Sequence, residues 1–511
     1  MTTTLTTPLY YVNDRPHIGS VYTTLAVDAL ARYRRLRGDQ VIFITGCDEH
    51  GQKILRTAEQ AGIDSQSYCD KISAEFAKNW QEWGISNDRF IRTTDPRHKI
   101  IVNQFFERVL ANGDIVEGRQ QGWYCVACEE YKEVAAGAVA PQCLIHQKDL
   151  EWRDECNLFF RLSRYQEQIQ SLISKDSFIR PSSRRREVEN FAAAGLRDFS
   201  ISRLDLPWGI QVPGYANHTF YVWFDALLGY ITALLEPDDP ADLDLAIARG
   251  WPAKLHVIGK DILRFHAIYW PAMCISAGID PPLGVFGHGF LTREGLKMGK
   301  SMGNSIEPRK LLDCYGVDAV RWYLLRDIQL GDDGDIQQQR MVELVNNDLA
   351  NTIGNLVNRS IAMARKWFDG VPSLGNPPAS DHSLAKVCEE IMERLDLKYT
   401  ELDFRSAAED IILLATSANG YLSETAPWKA FKNPANHQKV ASDIYVILEV
   451  CRWIGVLLNP ILPSLSIRLL SQLGVTDFDW NSQLNWGLLI SGSELPEPSP
   501  LLQRLELEDE M

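Results

Sequence analysis

The segment from residue 3 to residue 46 constrains the fold of this chain more than any other. Residues 3–12 are β-branched and aromatic, as a strand requires, and Asn13-Asp14-Arg15-Pro16 is a turn. Apolar residues then recur at helical spacing from about Ile18 to Leu36, and Gly38 closes the helix. Val41-Ile42-Phe43-Ile44-Thr45-Gly46 follows as a short apolar run, the kind needed by a parallel strand covered on both faces. Strand, helix, strand in this order predicts a Rossmann-like α/β opening.

Two changes of pattern divide the rest. Between about 115 and 218 the sequence turns to Gly-, Cys- and Trp-rich segments and the Arg184-Arg185-Arg186 run. Apolar strands then return at Phe220-Tyr221-Val222-Trp223 and Leu255-His256-Val257-Ile258-Gly259. We read this as an insertion splitting one α/β domain. From about 346 onward helix-period segments dominate, at 342–367, 383–397, 406–423 and 441–458, and predict a helical bundle. The expected organisation is a first catalytic half at 1–114, an insertion at 115–218 and a second half at 219–288. A linking segment at 289–345, the bundle at 346–488 and a tail at 489–511 complete it. The tail is rich in Pro, Ser and acids, which suits an extended strap or partial disorder.

With 511 residues the chain is long enough for several domains. Its 67 acidic and 52 basic side chains give a net charge of −15, so any nucleic-acid site must be a local patch on a surface that repels phosphates. The most apolar stretch, Ile444 to Leu462, contains Glu449, Arg452 and Asn459, which argues against a membrane span. The N-terminus lacks the basic-then-apolar order of a secretory signal, so the cytoplasm is the expected compartment. Seven of the ten cysteines stand apart and read as buried, reduced side chains.

The other three form, with one histidine, the sharpest local motif: Cys125-Val126-Ala127-Cys128, then Cys143-Leu144-Ile145-His146. Such pairs on tight turns supply four N/S ligands at tetrahedral positions, which suits a closed structural Zn²⁺ site; a disulfide or two unrelated turns are the alternatives. His17-Ile18-Gly19-Ser20 stands where the first strand passes into the first helix, where free N–H groups favour a phosphate, although a histidine there also serves as a plain cap. Lys297-Met298-Gly299-Lys300-Ser301 lies in a Gly-rich loop whose two lysines can clamp phosphates as charge builds on a leaving group; its bland alternative is a solvated loop.

Together these two elements resemble the HIGH and KMSKS signatures of class I aminoacyl-tRNA synthetases. Tyr221-Val222-Trp223-Phe224-Asp225-Ala226-Leu227, the segment from Leu255 to Trp270, Ser200-Ile201-Ser202-Arg203 and Thr45-Gly46-Cys47-Asp48-Glu49-His50-Gly51 resemble the corresponding parts of the methionyl members. The single Cys3His knuckle is similar to their bacterial forms. The resemblance runs from about residue 5 to about 485. It implies a methionine pocket of Leu9, Tyr11, Val222, Trp223, Ala226, Leu227, Tyr230 and His266, with Phe265 and Trp270 behind, and Asp48 on the substrate ammonium. Without it, the aromatic residues read as core and Asp48 as a helix cap. It also implies ATP across His17, Gly19 and Ser20, with Gly259, Lys260 and Asp261 near the ribose and Lys297, Lys300 and Ser301 on the phosphates, accompanied by Mg²⁺. His17, Ser20, Lys297 and Lys300 are the implied catalytic set.

Asn355 and Arg359 share one helix face, and with Trp428 they are the implied anticodon readers; a polar helix face and a core tryptophan are the alternative. A role for Arg184-Arg185-Arg186 near the tRNA acceptor end is a further guess against a solvated patch. The expected activity is ligation of methionine to its initiator and elongator tRNAs through a methionyl-adenylate. A monomer is expected, because no added dimerisation domain follows the bundle. Two residues depart from the signatures: Ser20 stands where the first has a second histidine, and Gly299 where the second has a serine. Ser20 keeps open the alternative of a non-catalytic tRNA-binding paralogue.

Overall fold

The computed structural model describes residues 2–126, 129–132, 134, 141–143, 148–298, 304–374, 380–476 and 482–507. The chain divides into two units, residues 1–16 with 41–288, and residues 17–40 with 289–511.

The first unit is organised by a six-stranded sheet. Its strands lie in the order Arg89–Arg92, Gln40–Asp48, Thr2–Tyr11, Leu255–Gly259, Val285–His288, Ile179–Arg180. Thr2–Tyr11 pairs parallel to Leu255–Gly259, with Leu5 opposite Leu255, and Gln40–Asp48 pairs parallel to Arg89–Arg92, with Gly46 opposite Ile91. A Cβ at Gly46 would lie 2.1 Å from the Ile91 carbonyl oxygen, so glycine is what lets these strands close. The first strand is rich in threonine, and its buried hydroxyls are satisfied. Thr4 donates to the Gly250 carbonyl at 2.7 Å, Thr6 meets His256 Nδ1 at 2.6 Å and Thr7 donates to Thr45 at 2.8 Å. The strand order runs outward in opposite directions from Thr2–Tyr11 and Leu255–Gly259. Sheets of this type bind ligands beyond the carboxyl ends of strands at such a reversal.

Inserted in this unit is a four-stranded sheet, Glu130–Lys132, Ile115–Cys125, Glu151–Phe160 and Phe199–Ser200, antiparallel throughout. The run Phe220 to Trp223 departs from the expected strand. The strand His218–Phe220 stops at Phe220, and Val222–Ala226 is a helical turn begun by the Tyr221 carbonyl, which accepts the Phe224 and Asp225 N–H groups. A four-residue apolar run carries no periodicity that separates strand from helix. Here Phe224 stacks on Phe220 at 5.0 Å, and that packing favours the turn.

The second unit contains the helix Ile18–Leu36, buried on nearly every face. Its Asp28 is fully buried and accepts from Arg321 at 2.7 Å and Arg32 at 2.9 Å, while Tyr33 stacks on Tyr399 at 4.0 Å. A small sheet places Leu291–Arg293 between Leu296–Lys297 and Gly334–Asp335. The segment expected as one helix at 342–367 is helical throughout. It consists of Gln338–Val345, a π-helical Asn346–Gly354, and Asn355–Phe368. Helices Ser383–Thr400, Phe404–Thr425, His437–Leu458 and Pro463–Gln472 complete the bundle. Within it Glu449 and Arg452 form a fully buried pair at 3.0 Å. Glu449 also accepts the N–H groups of Gly487 and Leu489, and Arg452 donates to the Gln483 and Asn485 carbonyls. The described tail is a strap: it has no regular structure, and Leu489, Leu495 and Leu501 are buried. Among the described residues no helix is long and apolar enough to cross a membrane.

Candidate active site

Asp48 ends the strand Gln40–Asp48 at the carboxyl edge of the parallel sheet. It is 7% exposed, and its Oδ1 meets no donor among the described residues. Burial pushes its carboxyl well above the usual range, and repulsion from Asp225, Glu129 and Glu49 adds to the effect against a bond from the His50 N–H. A buried carboxylate oxygen without a donor is an acceptor prepared for a cationic one. The neighbouring acid is already used: Glu49 is clamped by Arg92 at 2.6 and 3.2 Å and by the hydroxyls of Ser73 and Thr94.

An aromatic cluster lies in the same unit. Trp223 stacks on Phe265 with centroids 4.0 Å apart, and both are half-buried. Tyr230 Oη lies 2.8 Å from His266 Nε2, and His266 Nδ1 lies 3.1 Å from the Ile262 carbonyl oxygen. A carbonyl only accepts, so the imidazole proton is on Nδ1 and Nε2 accepts from the tyrosine. Burial lowers the His266 pKa to about 4, leaving the ring neutral at neutral pH. Phe265–Tyr269 is a π-helical turn, which re-aims successive side chains at this point. Leu9 packs over Gly229, where a Cβ would lie 2.4 Å from it. Val222, Ala226 and Leu227 are buried in the adjoining turn. Trp270 is wholly buried against Trp251 and Phe105, behind the cluster. Asp48 is near enough to Tyr11 and Tyr230 to raise the pKa of both phenols, although burial is the larger cause in each.

Glu129, which the sequence did not single out, is a hub of this region. Its carboxylate accepts from Tyr11 at 3.1 Å, Tyr124 at 2.7 Å and the Lys53 N–H at 2.8 Å, and its carbonyl accepts from Tyr221 at 2.6 Å. It has φ 55°, an uncommon value for a residue other than glycine. Its only sequence signal is its place directly after Cys128. Arg203, buried with its guanidinium 4.1 Å from the Tyr221 ring, adjoins Tyr124 and Glu129 around one polar cavity. Asp225 is the second missed residue. It is fully buried, within 2.6 Å of His50 Nδ1 and 2.7 Å of His98 Nε2. Burial opposes its charge, but the two imidazoles outweigh it and draw the carboxyl down to about 2.

At the start of Ile18–Leu36, His17 and Ser20 form a reciprocal cap. His17 Nδ1 accepts the Ser20 N–H at 3.2 Å, and Ser20 Oγ accepts the His17 N–H at 3.1 Å. Ser20 is thus at once the departure from the signature and the residue that completes the cap. With Nδ1 accepting, a neutral His17 carries its proton on Nε2, where it is a donor. A Cβ on Gly19 would lie 3.0 Å from the His17 ring, so glycine is what makes room for it. Lys297 lies on the strand Leu296–Lys297, while Lys300 and Ser301 are outside the described residues. In the first unit Gly259, Lys260 and Asp261 form the turn leaving Leu255–Gly259, and a Cβ on Gly259 would lie 2.5 Å from Asp261 Oδ1.

Cys125 and Cys143 are buried together with Leu150, and the Cys143 N–H bonds the Lys148 carbonyl at 2.8 Å. Cys128 and His146 lie outside the described residues, and no metal-competent group of three ligands occurs among those described. Two thiols buried in one cluster fit half of a zinc donor set. In the second unit Asn355 and Arg359 are exposed one turn apart, and the Arg359 guanidinium lies 5.3 Å from the Trp428 ring. Arg184 and Arg185 pair with Glu187 and Glu189 on the helix Ser182–Ala193 and with Asp176.

The family model "tRNA synthetases class I (M)" matches residues 3–136 and 132–361, and "Anticodon binding domain of methionyl tRNA ligase" matches 371–511. The chain belongs to the methionyl-tRNA synthetase family. A methionine–tRNA ligase of Synechocystis is 49% identical over 99% of this chain and 98% of its own length. A chloroplastic/mitochondrial methionine–tRNA ligase of Arabidopsis thaliana is 46% identical over 99% of this chain and 83% of its own. The Mycobacterium tuberculosis methionyl-tRNA synthetase in complex with methionyl-adenylate matches the structure with a TM-score of 0.92 at 37% identity, covering 98% of this chain and all of that one. A parallel-sheet α/β unit followed by a mostly helical anticodon-binding region is thus the methionyl-tRNA synthetase architecture, as the resemblance implied.

Proposed function

We propose that this chain ligates methionine to its tRNA through a methionyl-adenylate, releasing AMP and pyrophosphate. The observation that carries the substrate is the pairing of the buried Asp48, whose Oδ1 meets no donor among the described residues, with an uncharged aromatic pocket. Asp48 takes the ammonium. A thioether is apolar and polarizable, and the faces of Trp223 and Phe265, the walls of Leu9, Val222, Ala226 and Leu227 and the Tyr230–His266 pair suit it. A charged imidazole would draw in a polar side chain instead, and the neutral state of His266 avoids that. Tyr11, fixed by Glu129, adds a polar edge, and Trp270 backs the pocket.

The substrate carboxylate attacks the α-phosphorus of ATP, the bond to pyrophosphate breaks, and a terminal ribose hydroxyl of the tRNA then takes the acyl group. The protein supplies position and charge rather than covalent chemistry. The His17 Nε2–H donates to phosphate oxygens at a helix N-terminus that already favours anions, and Lys297 and Lys300 neutralise the leaving pyrophosphate. Gly259, Lys260, Asp261 and Ser301 complete the ATP contacts. Mg²⁺ bound with ATP supplies further charge to the phosphates. Cys125, Cys128, Cys143 and His146 would hold one Zn²⁺, which would serve the fold rather than the reaction. Asn355, Arg359 and Trp428 read anticodon bases of initiator and elongator tRNA, Trp428 by stacking. The working form is a cytoplasmic monomer.

The test is amino-acid-dependent exchange of labelled pyrophosphate into ATP, with the twenty amino acids supplied singly. Methionine alone supports exchange on this reading. Exchange with another amino acid would overturn the pocket, and none with any would leave a tRNA-binding paralogue.

A further inference from the structure

Asp225 sits in the middle of the methionine pocket's sequence, yet its carboxylate is hydrogen-bonded to His50 and His98 rather than offered to the substrate. It lies two residues after Trp223 and directly before Ala226 and Leu227, and its side chain is turned into a closed polar cluster. One carboxylate oxygen accepts from His50 Nδ1 at 2.6 Å and the other from His98 Nε2 at 2.7 Å, and His98 Nδ1 lies 2.8 Å from Thr232 Oγ1. All four side chains are buried. The four segments joined this way are not arbitrary. His50 is two residues beyond Asp48, Thr232 is two residues beyond Tyr230 on the turn Gly229–Thr232, and His98 lies on the helix Pro96–Ala111. An ionised carboxylate in the interior is costly unless fully hydrogen-bonded, and for packing alone an apolar side chain of similar volume serves as well or better.

We propose that Asp225 is a positioning residue for the amino-acid substrate: through His50 it locks the ammonium-binding strand end to the helical turns that hold the thioether end. The proposal rests on the assignment of Asp48 to the ammonium. The distance between the two ends of a rigid substrate site must be fixed to a fraction of an ångström, and hydrogen bonds between buried, oriented groups do this better than loop backbone. Two acceptor oxygens are needed, one for each imidazole. An asparagine at this position would offer one acceptor and one donor and would turn one imidazole away, so the Asp225→Asn change releases one side of the lock at nearly constant volume.

The experiment measures equilibrium binding of methioninol, which carries the ammonium and the thioether but cannot be activated, by calorimetry on the full chain. Steady-state pyrophosphate exchange accompanies it. Asp225→Asn and His50→Gln are each expected to weaken methioninol about tenfold and to raise the methionine KM by a similar factor. kcat at saturating methionine and the KM for ATP stay within about threefold, a split that general loosening of the fold would not produce. The Asp48→Asn/Asp225→Asn double variant binds no worse than Asp48→Asn alone, because the lock acts through the ammonium contact. His50→Gln leaves the Asp225–His98 bond intact and carries the test if Asp225→Asn does not fold. Wild-type methioninol binding by His50→Gln and Asp225→Asn, or losses that simply multiply in the double variant, would overturn the proposal alone. Wild-type binding by Asp48→Asn would overturn the ammonium assignment and the proposal with it.

Discussion

Replacing Asp48 by asparagine removes a charge while keeping the shape of the side chain, and its two consequences have opposite signs. On substrate, the change deletes one partner of a desolvated ammonium–carboxylate contact. Truncating one side of such a buried pair costs about 2–5 kcal/mol. With tenfold per 1.4 kcal/mol, this is a loss of roughly 30- to 4,000-fold in kcat/KM for methionine. The 7% exposure of Asp48 and the absence of any competing donor on Oδ1 among the described residues place the expected loss in the upper half of that range. On stability the sign reverses. The Asp48 carboxyl is raised in the fold from its ordinary 3.8, so between 3.8 and the raised value the folded chain binds a proton that the unfolded chain has released. The stability this proton confers is complete below about 3.8 and is lost as pH rises through the raised value. At pH 7 burying this carboxyl therefore carries a cost that is absent below about 3.8, and asparagine lifts it. Methionine-dependent pyrophosphate exchange and urea unfolding at pH 7 and pH 4 measure both arms. Asp48→Asn is expected to be nearly inactive and more resistant to urea at pH 7, with the advantage shrinking at pH 4. Activity within threefold of wild type, or lower urea resistance at pH 7, would refute the reasoning.

His266 has its pKa lowered to about 4 by burial, so its contribution to stability is complete above the ordinary 6.5 and is lost as pH falls toward 4. His266→Gln should flatten this acid limb in urea titrations between pH 4 and 7 while raising the methionine KM. Trp428→Ala should remove a stacking surface worth about 1–3 kcal/mol per base, raising the tRNA KM roughly 5- to 150-fold in charging assays with pyrophosphate exchange unchanged. In the bundle, Glu449→Gln strands the buried Arg452 and should cost about 3–5 kcal/mol in urea unfolding of that unit, whereas replacing both residues by apolar ones of similar size should cost much less.

What was legible in the sequence was local. The helix Ile18–Leu36 announces itself by its spacing, and the strands Thr2–Tyr11, Gln40–Asp48 and Leu255–Gly259 by short β-branched runs. What was not legible depends on partners far apart in the chain. Asp225 stands out as a lone acid in an aromatic run, but its meaning comes from His50 and His98, which no local rule connects to it. Glu129 reads as one of two adjacent glutamates, and nothing short of the fold shows that it turns inward at positive φ to meet three tyrosines. Trp223 and Trp270 have the same chemistry in sequence, and only packing leaves the first half-buried against Phe265 and the second sealed in the core. Ser20 looked like a lost imidazole, and in the structure its hydroxyl and N–H complete the helix cap with His17.

The π-helical stretch Asn346–Gly354 sets the rotational phase of everything that follows it on the same rod. Each α-helical residue turns the chain by about 100°, and a wider turn absorbs an extra residue without lengthening the helix by a full step. Asn355 and Arg359 begin the next segment, so the direction in which they point is dialled by this stretch rather than by their own surroundings. With the same residues in regular α-helical geometry, both side chains would stand about a quarter turn further around the axis. The helix would survive, and the bearing of Arg359 on Trp428 would not.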